Sequence, residues 1–453
     1  MNYVELHCHS NYSFQEGASS VEELLARAKE LGYPALALTD HNNLCGAMHF
    51  AQAAKGFGIH PITGAEITLT DGSHLTLLAK DRQGYRNLSN LITYSHINDR
   101  LHPAMEPRHL ADHSRGLILL TGCPQGRLPT LIAQGQRKEA RTLLEDYLEW
   151  FGTSNVFVEL QQRLVFGDIH RNRQLSELAG ESGVGVVATN SVHYHVPDRH
   201  RLQDALVSIR HNKSLEETHR QRRVNGQFYL KSYDEMAVLF KSRPDALANT
   251  LKIANRCAFD LTSDLGYQFP EYPVPPGYTP LSYLRHLCHQ AAVRRYGGFH
   301  QQVRARLEEE FRLIEKHGLA GFFLVYYEIV KMAHEIMVKL SRTDLEIPPE
   351  ERAVLRGRGS SVAMVVCYLI GLSHIDPLKY NLSLERFISD DMGSVPDIDL
   401  DFPRDIREEI IKRVHQKWGW DCAALTGTIV TYNMKGAVRD LGKALGLPQQ
   451  DLD

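Results

Sequence analysis

The sequence predicts an α/β protein of more than one domain, with an α/β barrel or doubly wound sheet first and a mainly helical region after it. Three observations carry this prediction. Over residues 1–200 short apolar strands alternate with amphipathic helical segments. Residues 267–280, "YQFPEYPVPPGYTP", hold five prolines in fourteen positions and read as an extended connector between domains. The 453 residues exceed what one hydrophobic core usually organises, and a hydrophobic content of 43% is enough to fill two or three.

The elements follow in order. "YVELHCH" (3–9) reads as a strand, and the helix after it opens with the capping box Ser20 and Glu23. The segments "ALALTDH" (35–41), "HPITGAEITL" (60–69), "HLTLLAK" (74–80), "GLILLTGC" (116–123), "NVFVELQ" (155–161) and "VGVVATN" (184–190) read as further strands. Beyond the prolines come helical stretches at 281–297, 303–319 and 322–340, and then the glycine turn "RGRGSS" (356–361). The stretch "PDIDLDFPRD" (396–405) alternates Asp397, Asp399 and Asp401 with Ile398, Leu400 and Phe402, the period of a strand with one apolar and one acidic face. Aspartate is a poor strand former, and three like charges on one face require a cation.

Bulk properties exclude several classes. A formal net charge of −3 argues against a uniformly basic nucleic-acid coat, although "HRQRR" at 219–223 is a local patch able to meet phosphate. Seven scattered cysteines without a CxxC pair imply no disulfide framework. The N-terminal residues lack the pattern of a signal peptide, and the longest apolar run, "MVVCYLIGL" (364–372), is too short to span a bilayer. A soluble, cytoplasmic protein is expected.

Two constellations carry chemistry. His7 and His9 stand two apart on one strand face, Glu16 follows in a loop, His41 and Glu66 end strands, His74 opens one, Cys123 closes one and His193 follows another. In a barrel of parallel strands the C-terminal ends converge on one mouth, and this donor set suits zinc, manganese or iron. The second constellation is Gly357, Arg358, Gly359 and Ser360 ahead of an apolar helical run, a turn and helix N-terminus suited to a triphosphate, with Arg386 and the Asp397/Asp399 pair close behind. Paired carboxylates of this kind hold magnesium against substrate phosphates.

The H-x-H pair followed by Glu16 and "TDHN" resembles the PHP (polymerase and histidinol phosphatase) domain, a distorted (β/α) barrel that holds up to three metal ions. The ordered string "GRGSS…IDPLKYNLSLERF…VPDIDLDF…AVRDLGKALG" resembles the palm of bacterial C-family DNA polymerases, the DNA polymerase III alpha subunits. Segments "AALTGTIVTY" and "RDLGKALGLP" look most like the error-prone, translesion and repair branch. The resemblance covers essentially the whole chain.

It implies a PHP domain at 1–210, a connecting region at 211–280, an α+β nucleotidyltransferase-like palm at 281–430 and the start of a helical thumb at 431–453. His7, His9, Glu16, His41, Glu66, His74, Cys123 and His193 are then ligands of zinc, manganese or iron. Asp397 and Asp399 hold catalytic magnesium. Gly359 and Ser360 hold the incoming nucleotide's phosphates, assisted by Arg358 and Arg386, while Asp401 has no catalytic part and is expected to be solvated. The implied activity is template-directed addition of dNTPs to a primer 3′ end by two-metal phosphoryl transfer. Its implied partners are primer-template DNA and, through regions beyond residue 453, a sliding clamp and accessory subunits, with no membrane. The alternatives are a PHP-type phosphoesterase or exonuclease and a non-catalytic scaffold.

Three departures stand out. Ser191 occupies a position where the family has aspartate. Residues 338–355 form an insertion, and "SSVAM" replaces a run of small residues. The family's third metal-binding aspartate and fingers follow the position of residue 453, so this chain alone is expected not to extend a primer.

Overall fold

The computed structural model describes residues 3–266, 271–344, 346–348, 351, 355–391, 396–419, 422–448, 450 and 452, except for the side chain of Arg386. It comprises two compact units, residues 1–266 with 431–453 and residues 267–430.

Six strands form the sheet of the first unit: β1 (Ala35–Leu38), β2 (His60–Thr68), β3 (His74–Ala79), β4 (Leu117–Leu120), β5 (Val156–Gln161) and β6 (Gly185–Thr189), hydrogen-bonded in that order. Residues 5–9 close this sheet into a ring. On one side Ala37 N donates to Glu5 O (3.0 Å) and Thr39 N to Cys8 O (2.8 Å), and on the other His9 N donates to Val192 O (2.8 Å) and Val192 N to His7 O (2.9 Å). The barrel alternative is therefore the one realised. The segment 3–9 forms no regular strand: it bends at His7 and makes one bridge, Cys8 to Val192. Side chains take three of its donors: Val4 N donates to Thr250 Oγ1, His7 N to Glu5 Oε1 and Cys8 N to Thr39 Oγ1.

The strands are not all parallel, as a regular barrel requires. β3 runs antiparallel to both β2 and β4. The physical reason lies in its connection, because residues 69–73 are long enough for a hairpin and too short for a crossover helix. The reversal brings His74, at the start of β3, to the mouth where the other strands end.

Both faces of the sheet are buried, which is why the strands read as apolar runs. Leu36, Leu77, Leu119, Val158 and Val186 pack in one cluster with the surrounding helices, and Ala37, Ile62, Leu78, Ile118 and Val187 pack in another with Ile253 and Ala254. The first helix, Val21–Glu30, carries both halves of the expected capping box.

Residues 211–266, expected as a connector, contribute to this core. Leu230, Met236, Phe240 and Leu247 join the main cluster, and the helix Pro244–Ala254 packs on β6. They escape a sequence reading because they come from loops and short helices without a sustained period. The helix Met434–Ala444 also groups with the first unit, packing on the helix His200–Arg210, and Leu215 N donates to Ala444 O (2.9 Å).

The second unit is mostly helical. Helices Pro280–Tyr296, Gln301–Lys316, Ala320–Lys339 and Arg407–Trp418 surround a core that includes Phe311, Phe323, Val366 and Ile398. Two short strands, β7 (Arg356–Arg358) and β8 (Asp399–Asp401), pair antiparallel. The apolar run after the glycine turn is not one helix: a 3₁₀ segment, Gly359–Ala363, precedes an α-helix of only five residues, Val365–Leu369. Met364 between them is extended, and Leu372 N and Ser373 N both turn back to Cys367 O. Among the described residues no helix is long and apolar enough to cross a membrane.

Candidate functional sites

At the barrel mouth two donor groups share Glu66: His7, His9 and Glu66, and His41, Glu66 and His74, each with its ligand atoms within 4.8 Å of one another. β2 presents Glu66 centrally. The backbone of His41 bridges to it from the end of β1, and His74 reaches it from the antiparallel β3. His7 Nε2 lies 3.3 Å from Glu66 Oε1, His9 Nε2 lies 3.6 Å from Oε2, and His74 Nδ1 lies 3.4 Å from Oε1. Cys123 Sγ is 3.9 Å from His74 Nδ1.

The residues fit a metal ion. The Nε2 atoms of His7 and His9 are buried, make no hydrogen bond and both face the Glu66 carboxylate, a convergence that is costly unless a cation is shared among them. His7 Nδ1 donates to Glu159 Oε1 (2.7 Å), and Glu159 is itself held by Thr189 and Gln161, so the ring is oriented from behind as metal-binding histidines are. Burial opposes charge on His7, yet Glu159 and Glu66 raise its pKa well above the ordinary value. Burial likewise opposes ionisation of Glu66, but His74 and His7 hold it well below the usual carboxylate range. Burial lowers His74 too, and Glu66 with Cys123 outweighs it, giving a pKa of about 10. This mouth therefore favours a cation, either protons or a metal.

Other expected ligands are already engaged. His41 Nδ1 contacts Glu16 Oε2 (3.0 Å) and its Nε2 contacts Thr68 Oγ1 (2.7 Å). Glu16 also pairs with Arg210. His193 Nδ1 donates to Ser191 O (2.8 Å), and its Nε2 accepts from Arg223. Burial, Arg223 and His9 all lower its pKa, so it is neutral. Arg223 belongs to the "HRQRR" segment and lines the mouth cavity with Glu16, His41, Glu66, His74 and Arg210.

In the second unit the register pairs Arg358 with Asp399 and Arg356 with Asp401. The glycine turn thus lies beside the acidic strand: a Cβ placed on Gly359, whose φ is +72°, would be 3.6 Å from Asp399 Oδ2. The alternation expected of "PDIDLDF" is present, with Asp397, Asp399 and Asp401 exposed, Ile398 buried, and Leu400 and Phe402 packed against the core. Asp401 is not merely solvated, because Arg358 Nε bonds to it. Among the described residues no basic group pairs with Asp397 or Asp399.

The helix N-terminus expected to face phosphate is occupied. Glu310, fully buried, accepts from Val365 N and Val366 N, both at 2.8 Å. Arg306 Nε donates to the same carboxylate (2.9 Å), and Arg306 Nη2 donates to Ala363 O and Leu382 O. The turn at Gly359 and Ser360 lies ahead of this helix and takes no part in the Glu310 contacts. The side chain of Arg386 and several residues of the 338–355 insertion lie outside the described residues.

Comparison with known proteins agrees with this two-part layout. A family model described as PHP domain matches residues 5–163, and one described as bacterial DNA polymerase III alpha NTPase domain matches residues 282–453. An error-prone DNA polymerase of Symbiobacterium thermophilum is 37% identical over 472 residues, covering 100% of this chain and 42% of that protein. The DNA polymerase III subunit alpha of Treponema pallidum is 35% identical (100% of this chain, 39% of that protein), and an error-prone DNA polymerase of Pseudomonas aeruginosa is 38% identical (100% and 41%). The chain thus spans about two fifths of the length of these curated relatives. Both domains occur in this order and the similarity runs along the whole chain, so the chain is related to bacterial DNA polymerase III alpha subunits and error-prone DNA polymerases.

Proposed function

We propose that the second unit carries the nucleotide- and magnesium-binding part of an error-prone, DNA-directed DNA polymerase. The observation that supports it best is the β7–β8 register, which sets the Gly359–Ser360 turn against Asp399. Asp397 and Asp399 would hold magnesium, which supplies charge neutralisation at the transferring phosphoryl group. The backbone of Gly359 and the hydroxyl of Ser360 orient the triphosphate. Arg358, tied to Asp401, adds a cation at the edge of this site, with Arg386 as its helper. Primer-template DNA and dNTPs are the substrates, and a sliding clamp and accessory subunits are the partners.

The barrel is read as a zinc, manganese or iron centre built on His7, His9, Glu66, His41 and His74. Glu16, Cys123 and His193 stand around it. The competing phosphoesterase reading draws on the same donor groups, and Ser191 and Arg223 count against it.

Magnesium-dependent binding of a dNTP to this chain, followed by calorimetry, tests the proposal. Asp397→Asn with Asp399→Asn should abolish the magnesium dependence while leaving melting in chelator unchanged or raised, since repulsion between neighbouring carboxylates is relieved. Unaltered binding, or earlier melting, would refute it.

A further inference from the structure

We infer that the Arg223 guanidinium stands in for one metal ion at the barrel mouth, so that the centre accepts at most the two ions its two donor groups offer. This rests on reading the mouth as a metal site. One lone pair of His193 decides it. Because Ser191 O is a carbonyl, His193 Nδ1 must donate to it, which leaves the lone pair of the neutral ring on Nε2. A metal ion would need that lone pair, and Arg223 Nη2 already donates to it. A guanidinium has five donors, no acceptor and a permanent charge, so it cannot give way by losing a proton.

The neighbours hold Arg223 in that place. Its guanidinium lies over the Phe228 ring, 5.0 Å from the centroid, and the same ring meets His193 edge-on at 5.8 Å. Phe228 is buried, so the arginine is braced on a fixed surface. Charge argues the same way: Ser191 offers His193 a neutral carbonyl and no anion, while Arg223 brings a cation to its other nitrogen. Both disfavour a divalent ion. Glu16 is drawn away as well, by its pair with Arg210. By contrast, the Nε2 atoms of His7 and His9 make no hydrogen bond and face the Glu66 carboxylate, at 3.3 and 3.6 Å. Arginine is thus placed to orient a phosphate oxygen at the mouth, but unlike a metal ion it cannot supply a bound hydroxide.

Cobalt(II) titration of the metal-stripped chain, read by visible absorption and by elemental analysis after gel filtration, tests this. The parent should saturate at two equivalents or fewer, and Arg223→Lys should match it. Ser191→Asp with Arg223→Met should take up one more. Three equivalents in the parent, or no gain in a folded double variant, would overturn the inference. If the double variant does not fold, His193→Gln decides: unchanged stoichiometry supports the surrogate, and loss of one equivalent refutes it. No cobalt bound by any form would overturn the metal-site reading itself, and the inference with it.

Discussion

Glu310 offers a quantitative test of how the glycine turn is held. Its carboxylate is fully buried and receives Val365 N, Val366 N and Arg306 Nε, while Arg306 spans to Ala363 O and Leu382 O. Burial pushes the carboxyl pKa up, so the group would be costly without those donors. Hydrogen bonds to a charged group contribute about 1.5–3 kcal/mol each, and removing one partner of a buried pair costs about 3–5 kcal/mol. Glu310→Ala, which orphans two buried amides and a guanidinium, should therefore destabilise the second unit by about 4 kcal/mol. Glu310→Gln keeps one acceptor but turns an NH₂ toward a donor, and should cost about half as much, roughly 2 kcal/mol. Urea denaturation followed by tryptophan fluorescence suits the measurement, since two of the three tryptophans, at 418 and 420, fall in the sequence of this unit. Because the chain has two units, the transition should be fitted as separable steps. An Ala variant whose midpoint shift corresponds to less than about 1 kcal/mol would refute the reasoning.

Three further outcomes are expected. His7→Ala with His9→Ala should remove most bound transition metal on elemental analysis and lower the melting temperature, because binding energy at such a centre is also folding energy; unchanged metal content would contradict the assignment. Lys231, which donates to Gln227 O, has its pKa lowered from 10.5 to about 8 by burial, which outweighs Glu235 and Glu5. Below pH 8 both folded and unfolded chains carry the proton and the cost is fully present; between pH 8 and 10.5 the unfolded chain binds more protons, so stability rises with pH. Lys231→Met should therefore stabilise by about 2 kcal/mol at pH 7, a gain that fades toward pH 10, and a less stable variant in neutral denaturation would disprove it. Gly357→Ala places a Cβ into Leu372 O, so β7 must shift, and both melting temperature and dNTP affinity should fall; a variant that melts like its parent would show that the strand has room.

The strands of the barrel were legible because sheets covered on both faces leave uninterrupted apolar runs. The direction of β3 was legible too, since a five-residue link cannot cross over, but the assumption of parallel strands hid it. Metal-ligand candidates stood out because they sit at strand ends, where a side chain leaves the packed sheet. Residues acting from behind gave no such sign. Glu159 lies inside β5, and its contact with His7 spans 152 positions. Arg223 was visible only as part of a basic run that reads as a surface patch, and its target appears once β6 and the following loop are folded. Glu310 did carry a signal: with Val303, Leu307 and Ile314 it shares the apolar stripe of its helix, where a carboxylate must have partners.

The acidic strand posed the question of which cation sits among three carboxylates, and the two units answer it in related ways. In the second unit the cation for Asp401 is Arg358, supplied across the β7–β8 pair, a diagonal contact of the kind such ladders allow. That leaves Asp397 and Asp399 as the carboxylates without a described basic partner, next to the glycine turn. In the first unit Arg223 and Arg210 take up His193 and Glu16, and the unpartnered nitrogens are those of His7 and His9. In both places arginine satisfies one side of a polar cluster permanently and leaves other members of the cluster without a basic partner or a hydrogen bond. Under the proposed function, the members of each cluster that the protein's own cations leave without an ion pair, Asp397 with Asp399 in one unit and His7 with His9 in the other, are the ones that would hold a metal ion.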